Sequence, residues 1–167
     1  MLKDLYGRPL ESIRISVTQR CNLSCFYCHR EGEDPRNEVE MSPREIQKIV
    51  AIAASFGLRE VKLTGGEPLI RRDILDIVRK IHETPGIKEV SMTTNGVFLS
   101  EYIYDLKKAG LARVNVSLDT LNAKNYKRIT GVDALKSVID GITKAKDAGL
   151  HPVKVNMVLL KGLNEHE

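Results

Sequence analysis

One seven-residue unit occurs four times in this chain and restricts the fold more than any other feature. It runs Gly, then Leu or Ile, two variable residues, Val, one polar residue and a final apolar residue. It reads Gly57-Leu58-Arg59-Glu60-Val61-Lys62-Leu63, Gly86-Ile87-Lys88-Glu89-Val90-Ser91-Met92, Gly110-Leu111-Ala112-Arg113-Val114-Asn115-Val116 and Gly149-Leu150-His151-Pro152-Val153-Lys154-Val155. Gly57, Gly110 and Gly149 follow helical stretches and suit the C′ position that ends a helix. Gly86, after Pro85, sits in a turn. The apolar residues after each glycine begin a strand.

Helix patterns fill the intervals. Ser42-Pro43-Arg44-Glu45 is a capping box with proline at the first helical position, and Ile46, Ile49, Val50 and Ala53 extend it as an apolar stripe. Ile74, Ile77, Val78 and Ile81 form a second stripe. Ile103, Leu106 and Leu111 mark a looser third, and Leu135, Val138, Ile139 and Ile142 a fourth. Spacings of 29, 24 and 39 residues between the four glycines suit one βα unit each. Strand and helix alternate, so the expected class is α/β with a parallel sheet.

The strands alternate within themselves as well. Ile13, Ile15 and Val17 alternate with Arg14, Ser16 and Thr18; Val61 and Leu63 with Lys62 and Thr64; Val90 and Met92 with Ser91 and Thr93. Val114 and Val116 alternate with Asn115 and Ser117, and Val153 and Val155 with Lys154 and Asn156. A parallel strand covered on both faces reads as continuously apolar. Here period 2 sends every polar residue to one face, away from the helices. That suits an open or partial barrel holding a polar ligand. The competing reading is an open sheet with one face in water.

Composition narrows the function classes. A chain of 167 residues suits one domain with its own core. The net charge of +4 is spread along the chain, and aromatics are only 5%, which argues against base-stacking and nucleic-acid binding. No run approaches the ~20 apolar residues that span a bilayer. Residues 1–10 have no signal-peptide core, so a cytoplasmic location without membrane partners is expected.

All three cysteines fall in Cys21-Asn22-Leu23-Ser24-Cys25-Phe26-Tyr27-Cys28, directly after the first strand. An odd, clustered set in a reducing compartment points to a metal or reactive thiols rather than disulfides. Three thiolates can hold three irons of a cubane and leave the fourth open. Zinc with His29 as fourth ligand is the rival, although structural zinc sites usually draw ligand pairs from two places. Inert thiols are the third reading.

Cys-x3-Cys-x2-Cys with an aromatic before the last cysteine resembles the signature of radical S-adenosylmethionine (SAM) enzymes. Thr64-Gly65-Gly66-Glu67-Pro68 resembles that family's glycine-rich SAM motif, although alone it reads as a turn. Within the superfamily the chain is similar to the GTP 3′,8-cyclase family of molybdenum cofactor biosynthesis. The segments that carry this are Leu5-Tyr6-Gly7-Arg8, Arg14-Ile15-Ser16-Val17-Thr18, Thr64-Gly65-Gly66-Glu67-Pro68-Leu69, Thr93-Thr94-Asn95-Gly96, Asn115-Val116-Ser117-Leu118-Asp119 and Val153-Lys154-Val155-Asn156. The run Cys28-His29-Arg30-Glu31-Gly32 is similar to archaeal members.

The resemblance implies a partial (β/α) TIM-like barrel of about five strands. It implies a 4Fe-4S cluster on Cys21, Cys25 and Cys28. SAM is expected against Tyr27, Gly65, Gly66, Glu67 and Ser117, with Glu67 accepting from its ammonium group. GTP is expected against Arg14, Lys62, Thr93 and Lys154. Arg14, Lys62, Thr93, Ser117 and Lys154 all belong to the polar face that alternation defines. The implied reaction converts GTP to (8S)-3′,8-cyclo-7,8-dihydroguanosine 5′-triphosphate, with a 5′-deoxyadenosyl radical taking the 3′ hydrogen. Implied partners are a one-electron donor protein, the next enzyme of the pathway and a second copy of the chain.

The chain departs from the family pattern in length. Residues 1–11 read as an N-terminal extension and 1–167 as an incomplete core. The family's second cluster, on a C-terminal part, has no counterpart among these residues. The chain is therefore expected to be an incomplete form. Another radical SAM enzyme, such as a peptide maturase, would need the cluster but not the basic Arg14, Lys62 and Lys154. A zinc-stabilised binding module would need a fourth ligand and would have no use for the Gly-Gly-Glu-Pro motif.

Overall fold

A computed structural model describes residues 2–28 and 39–167. His29, the zinc ligand of the rival reading, and the Arg30-Glu31-Gly32 continuation lie outside the described residues. Five strands form one parallel sheet: β1 (Ser12–Ser16), β2 (Glu60–Thr64), β3 (Glu89–Thr94), β4 (Arg113–Ser117) and β5 (Val153–Asn156). They lie side by side in chain order. Every neighbour is thus reached by a crossover of the same right-handed kind, which puts all the helices on one face. The repeats predict this parallel sheet, and its order is that of part of a (β/α) barrel, as the resemblance implies.

The helices are α1 (Pro43–Ser55), α2 (Ile74–His82), α3 (Leu99–Lys108), α4 (Ala123–Thr130) and α5 (Leu135–Asp147). The capping box at Ser42 and Glu45 is formed in both directions. Gly57, Gly110 and Gly149 have left-handed φ values of 97°, 104° and 73° just past α1, α3 and α5. Alternate strand residues Val61, Leu63, Val90, Met92, Val114 and Val116 are fully or nearly fully buried under the helices. All four apolar residues of the α2 stripe meet them there.

Several details differ from the sequence pattern, Ile49 of the α1 stripe and Val155 of β5 being exposed among them. Leu111 is buried but lies beyond the end of α3, where it leads into β4. Helix α5 buries Leu135, Val138, Gly141 and Ala145 rather than Ile139. The reason is that Gly141 lets α5 sit on the start of α3, where a Cβ would come within 2.9 Å of Leu99 Cβ. Helix α4 was not anticipated, because its mostly polar sequence hides a short stripe of Tyr126, Ile129 and Thr130. Among the described residues no helix is long and apolar enough to cross a membrane.

Candidate active site

The cysteine loop leaves the end of β1 and is tied down at three places. First, its entrance runs along the glycine motif. Val17 N donates to Thr64 O at 2.9 Å, Gly66 N to Thr18 O at 2.8 Å and Glu67 N to Arg20 O at 2.8 Å. A Cβ on Gly65 would lie 2.3 Å from Thr18 O, and one on Gly66 2.2 Å from Arg20 O. Backbone this close leaves no room for any side chain. The sequence reading gave these glycines to ligand approach. The structure shows that the cysteine loop itself requires them.

Second, the loop rests on the C-terminal end of α4. Ser24 N donates to Thr130 O at 2.9 Å and Phe26 N to Ile129 O at 3.2 Å. These are carbonyls that a helix end leaves without intrahelical partners. Third, the Tyr27 hydroxyl donates to Asp119 Oδ2 at 2.6 Å. Burial and that carboxylate push the phenol well above its ordinary pKa. Asp119 Oδ1 in turn accepts from Val158 N, and Asn164 Nδ2 donates to the carbonyls of Asp119 and Val158. Tyr27 therefore joins the cysteine loop to the chain beyond β4 and β5.

Arg71 closes the loop from outside. Its guanidinium is almost wholly buried and donates to Val17 O at 2.7 Å, Met41 O at 3.0 Å and both oxygens of Asp73. Val17 and Met41 lie on either side of the cysteines in sequence, so one side chain holds both ends of the loop. Glu40 adds a second tie by accepting from Thr18 Oγ1 and Arg20 Nε.

Glu67, expected to receive a ligand ammonium, is also engaged by the protein. Its carboxylate is fully buried and accepts from Leu69 N at 3.0 Å, Thr94 Oγ1 at 2.7 Å and Asn95 N at 2.6 Å. Burial pushes its pKa up against the pull of those donors. It satisfies backbone N–H groups at the ends of β2 and β3 that would otherwise be buried unpaired. The effect reaches the loop through Asn95, whose amide donates to Asn22 Oδ1 at 2.8 Å and approaches Cys21 Sγ at 3.8 Å.

The polar face lies open beside this loop, and its register sorts the expected nucleotide ligands into rows. Arg14 pairs with Lys62, Lys62 with Ser91 and Ser91 with Arg113. One step toward the loop, Thr93 pairs with Asn115 and Asn115 with Lys154. Ser117 pairs with Asn156 one step further. The three cations therefore occupy two rows, and they differ in what holds them. Arg14 and Lys154 make no ion pair or hydrogen bond among the described residues. Lys62 Nζ lies 3.4 Å from Ser12 Oγ and 3.8 Å from Glu60.

Arg113 was missed, although period 2 places it on this face. It is spent on Glu89 at 2.6 Å and Glu60 at 3.8 Å. Asn115 was missed as well. Its Oδ1 is buried without a hydrogen-bond partner among the described residues. An unpaired amide oxygen between Thr93 and Lys154 is the kind of atom a polar ligand satisfies.

The cysteines offer soft donors. Burial raises the pKa of Cys21, and burial with neighbouring Cys21, Asp119 and Cys28 pushes Cys25 up to about 11. Among the described residues no three His, Cys, Asp or Glu side chains are already gathered around a common metal position. Three thiols from one loop, without a second ligand pair, fit an iron–sulfur cluster better than tetrahedral zinc. A metal would draw them together as thiolates and release their protons.

The fold and this cysteine-and-glycine site define the class. The profile described as Radical SAM superfamily matches residues 15–167, and the chain belongs to that superfamily. Membership brings SAM and an iron–sulfur cluster as cofactors. Among solved structures the chain is similar to SuiB of Streptococcus suis bound to S-adenosylmethionine, with a TM-score of 0.74 and 25% identity over 92% of this chain and 35% of that one. It resembles methylornithine synthase (PylB) in fold, with a TM-score of 0.72 over 91% of this chain and 45% of the other.

More particularly, the chain is 53% identical over its whole length to a "Probable GTP 3′,8-cyclase" of Pyrococcus abyssi, of which it spans 53%. It is 50% identical to the protein of that name from Archaeoglobus fulgidus, of which it spans 55%. The chain thus covers about half the length of these relatives.

Proposed function

We propose that this chain is the cluster- and SAM-binding part of a GTP 3′,8-cyclase of molybdenum cofactor biosynthesis, an incomplete form of the enzyme. The observation that carries this is the clamping of a three-cysteine loop onto the Gly65-Gly66 backbone, at the edge of a polar strand face where Arg14 and Lys154 have no partner among the described residues. Cys21, Cys25 and Cys28 would hold a 4Fe-4S cluster. When bound, that cluster supplies reductive cleavage of SAM to a 5′-deoxyadenosyl radical.

The chain's own residues bind and orient. Gly65 and Gly66 fix the loop against the end of β2, and Glu67 acts through Asn95 to hold its Cys21 end. Tyr27 and Ser117 border the space between the loop and β4, where SAM would lie. Arg14 and Lys154 offer unpaired charge to a triphosphate, Lys62 offers a partly shared one, and Thr93 with Asn115 adds neutral contacts. A one-electron donor protein, a second copy of the chain and the next enzyme of the pathway are the proposed macromolecular partners.

The test is anaerobic reconstitution followed by iron and sulfide counting, electron paramagnetic resonance (EPR) and separate SAM and GTP binding. Four irons with SAM-dependent spectral change are expected, with GTP binding once the length of the relatives is restored. Stoichiometric zinc without iron would overturn the cluster. Normal SAM cleavage without GTP affinity would leave a radical SAM enzyme of another substrate, such as a peptide.

A further inference from the structure

Tyr126 is the fourth residue of α4 and is 2% exposed. Its hydroxyl is buried and has no hydrogen-bond partner among the described residues. A buried phenol normally finds a partner, because leaving it unpaired costs free energy. The nearby Thr130 hydroxyl is engaged with backbone, donating to Tyr126 O at 2.9 Å and accepting from Val132 N at 3.3 Å.

The position of this orphan is specific. The carbonyls of Ile129 and Thr130, one turn beyond Tyr126 on the same helix, hold the N–H groups of Phe26 and Ser24. Cys25 lies between those two residues. The electrostatics agree with the geometry. Burial pushes the Tyr126 phenol up to about 12; Cys25 raises it next, the Thr130 hydroxyl pulls it down, and Asp119 and Cys21 raise it further. The phenol is therefore a donor without an acceptor among the described residues, on the helix that carries the cysteine loop.

We propose that the Tyr126 hydroxyl donates a hydrogen bond to the iron–sulfur cluster, to the Cys25 thiolate or an adjacent sulfide, and helps to set its reduction potential. The inference rests on the cluster reading above. Hydrogen bonds to cluster sulfur are a principal lever on potential, because reduction adds negative charge that a donor stabilises. The residue acts through the cluster and is a positioning and tuning group.

The test compares reconstituted wild type with Tyr126→Phe, which keeps the ring and removes only the O–H. Both are titrated with a redox-graded dithionite series and read by EPR. The variant is expected to carry the same iron and sulfide and to have a more negative midpoint. This would read as a several-fold lower reduced-to-oxidised ratio at fixed potential, tenfold being about 59 mV for one electron. Incorporation of 3-fluorotyrosine at position 126, a stronger donor of nearly the same size, should move the midpoint the other way. It also decides the matter should the Phe variant fail to hold a cluster. A fully loaded variant with an unchanged midpoint would overturn this inference and leave the cluster assignment standing. Failure of the wild type to form any iron–sulfur cluster would overturn both.

Discussion

At the scale of single residues, the glycine motif is required by the backbone of the cysteine loop. A Cβ at Gly66 meets the Arg20 carbonyl at 2.2 Å, and neither partner can retreat, because each is held in a ladder of backbone hydrogen bonds. Gly66→Val is therefore expected to cost about 1–3 kcal/mol or more in stability and to lower cluster content before it lowers SAM affinity. Iron counting beside thermal unfolding checks this order of events. Unchanged iron with lost SAM binding would return the glycine to the ligand. Each of Cys21→Ala, Cys25→Ala and Cys28→Ala should abolish the visible absorbance of the cluster while leaving the fold, as read by circular dichroism, in place. None of the three thiols has a packing role comparable to the fully buried strand valines.

The polar strand face allows a finer ranking. Arg14 has no ion-pair or hydrogen-bond partner among the described residues and can offer a bidentate fork, whereas Lys62 is shared with Glu60 and Ser12. A charge-assisted contact is worth roughly 1.5–3 kcal/mol, or about ten- to a hundredfold in affinity. Arg14→Ala should reach that loss in GTP binding, and Lys62→Ala should fall short of it. Calorimetric titration of GTP into the protein at the length of its relatives measures both. Equal and negligible losses would make these residues ordinary surface charges.

At the scale of elements, Arg71 is the closure of a loop. Both ends of the cysteine segment, at Val17 and Met41, hang on one buried guanidinium. Removing a buried charge and leaving its partners costs about 3–5 kcal/mol. Arg71→Met is expected to lower the unfolding midpoint and to raise amide exchange at residues 17–20 first. The Arg71 hydrogen bonds also hold the Asp73 carboxyl below its ordinary value of 3.8. A group depressed in this way stabilises the fold above its unfolded pKa, and that contribution fades as pH falls through the lower folded value. Asp73→Asn should therefore flatten the acid limb of the stability profile below about pH 4 and leave the neutral region's slope unchanged.

At the scale of the molecule, β1 and β5 are edge strands, each paired on one side only among the described residues. The outer residues of β5 and the segment after it are apolar and exposed, with Val155 at 50% and Met157 at 46%. With Leu118, Leu121, Ile139 and Ile142 they line an apolar groove beside α5. Exposed strand edges and apolar patches of this kind favour association. Concentration-dependent self-association is expected in analytical ultracentrifugation, and Val155→Lys should reduce it. A strictly monomeric, soluble wild-type chain at high concentration would contradict this reading.

The amino-acid sequence by itself determined the periodic parts of this protein. Four glycine-led repeats announced the parallel strands, and period 2 assigned Arg14, Lys62, Thr93, Ser117 and Lys154 to one face, because side chains in a strand alternate whatever surrounds them. Cysteine spacing is equally local, so the cluster loop was legible too. Tertiary structure decided what has no period and no fixed spacing. That Gly65 and Gly66 serve the loop backbone, that Glu67 is engaged by Thr94 and Asn95, and that Arg113 is neutralised by Glu89 all depend on groups 20 or more residues apart meeting across strands. Helix α4 escaped notice for the same reason. Its single apolar stripe gains meaning only when the cysteine loop, about a hundred residues earlier in the chain, settles onto its carbonyl end.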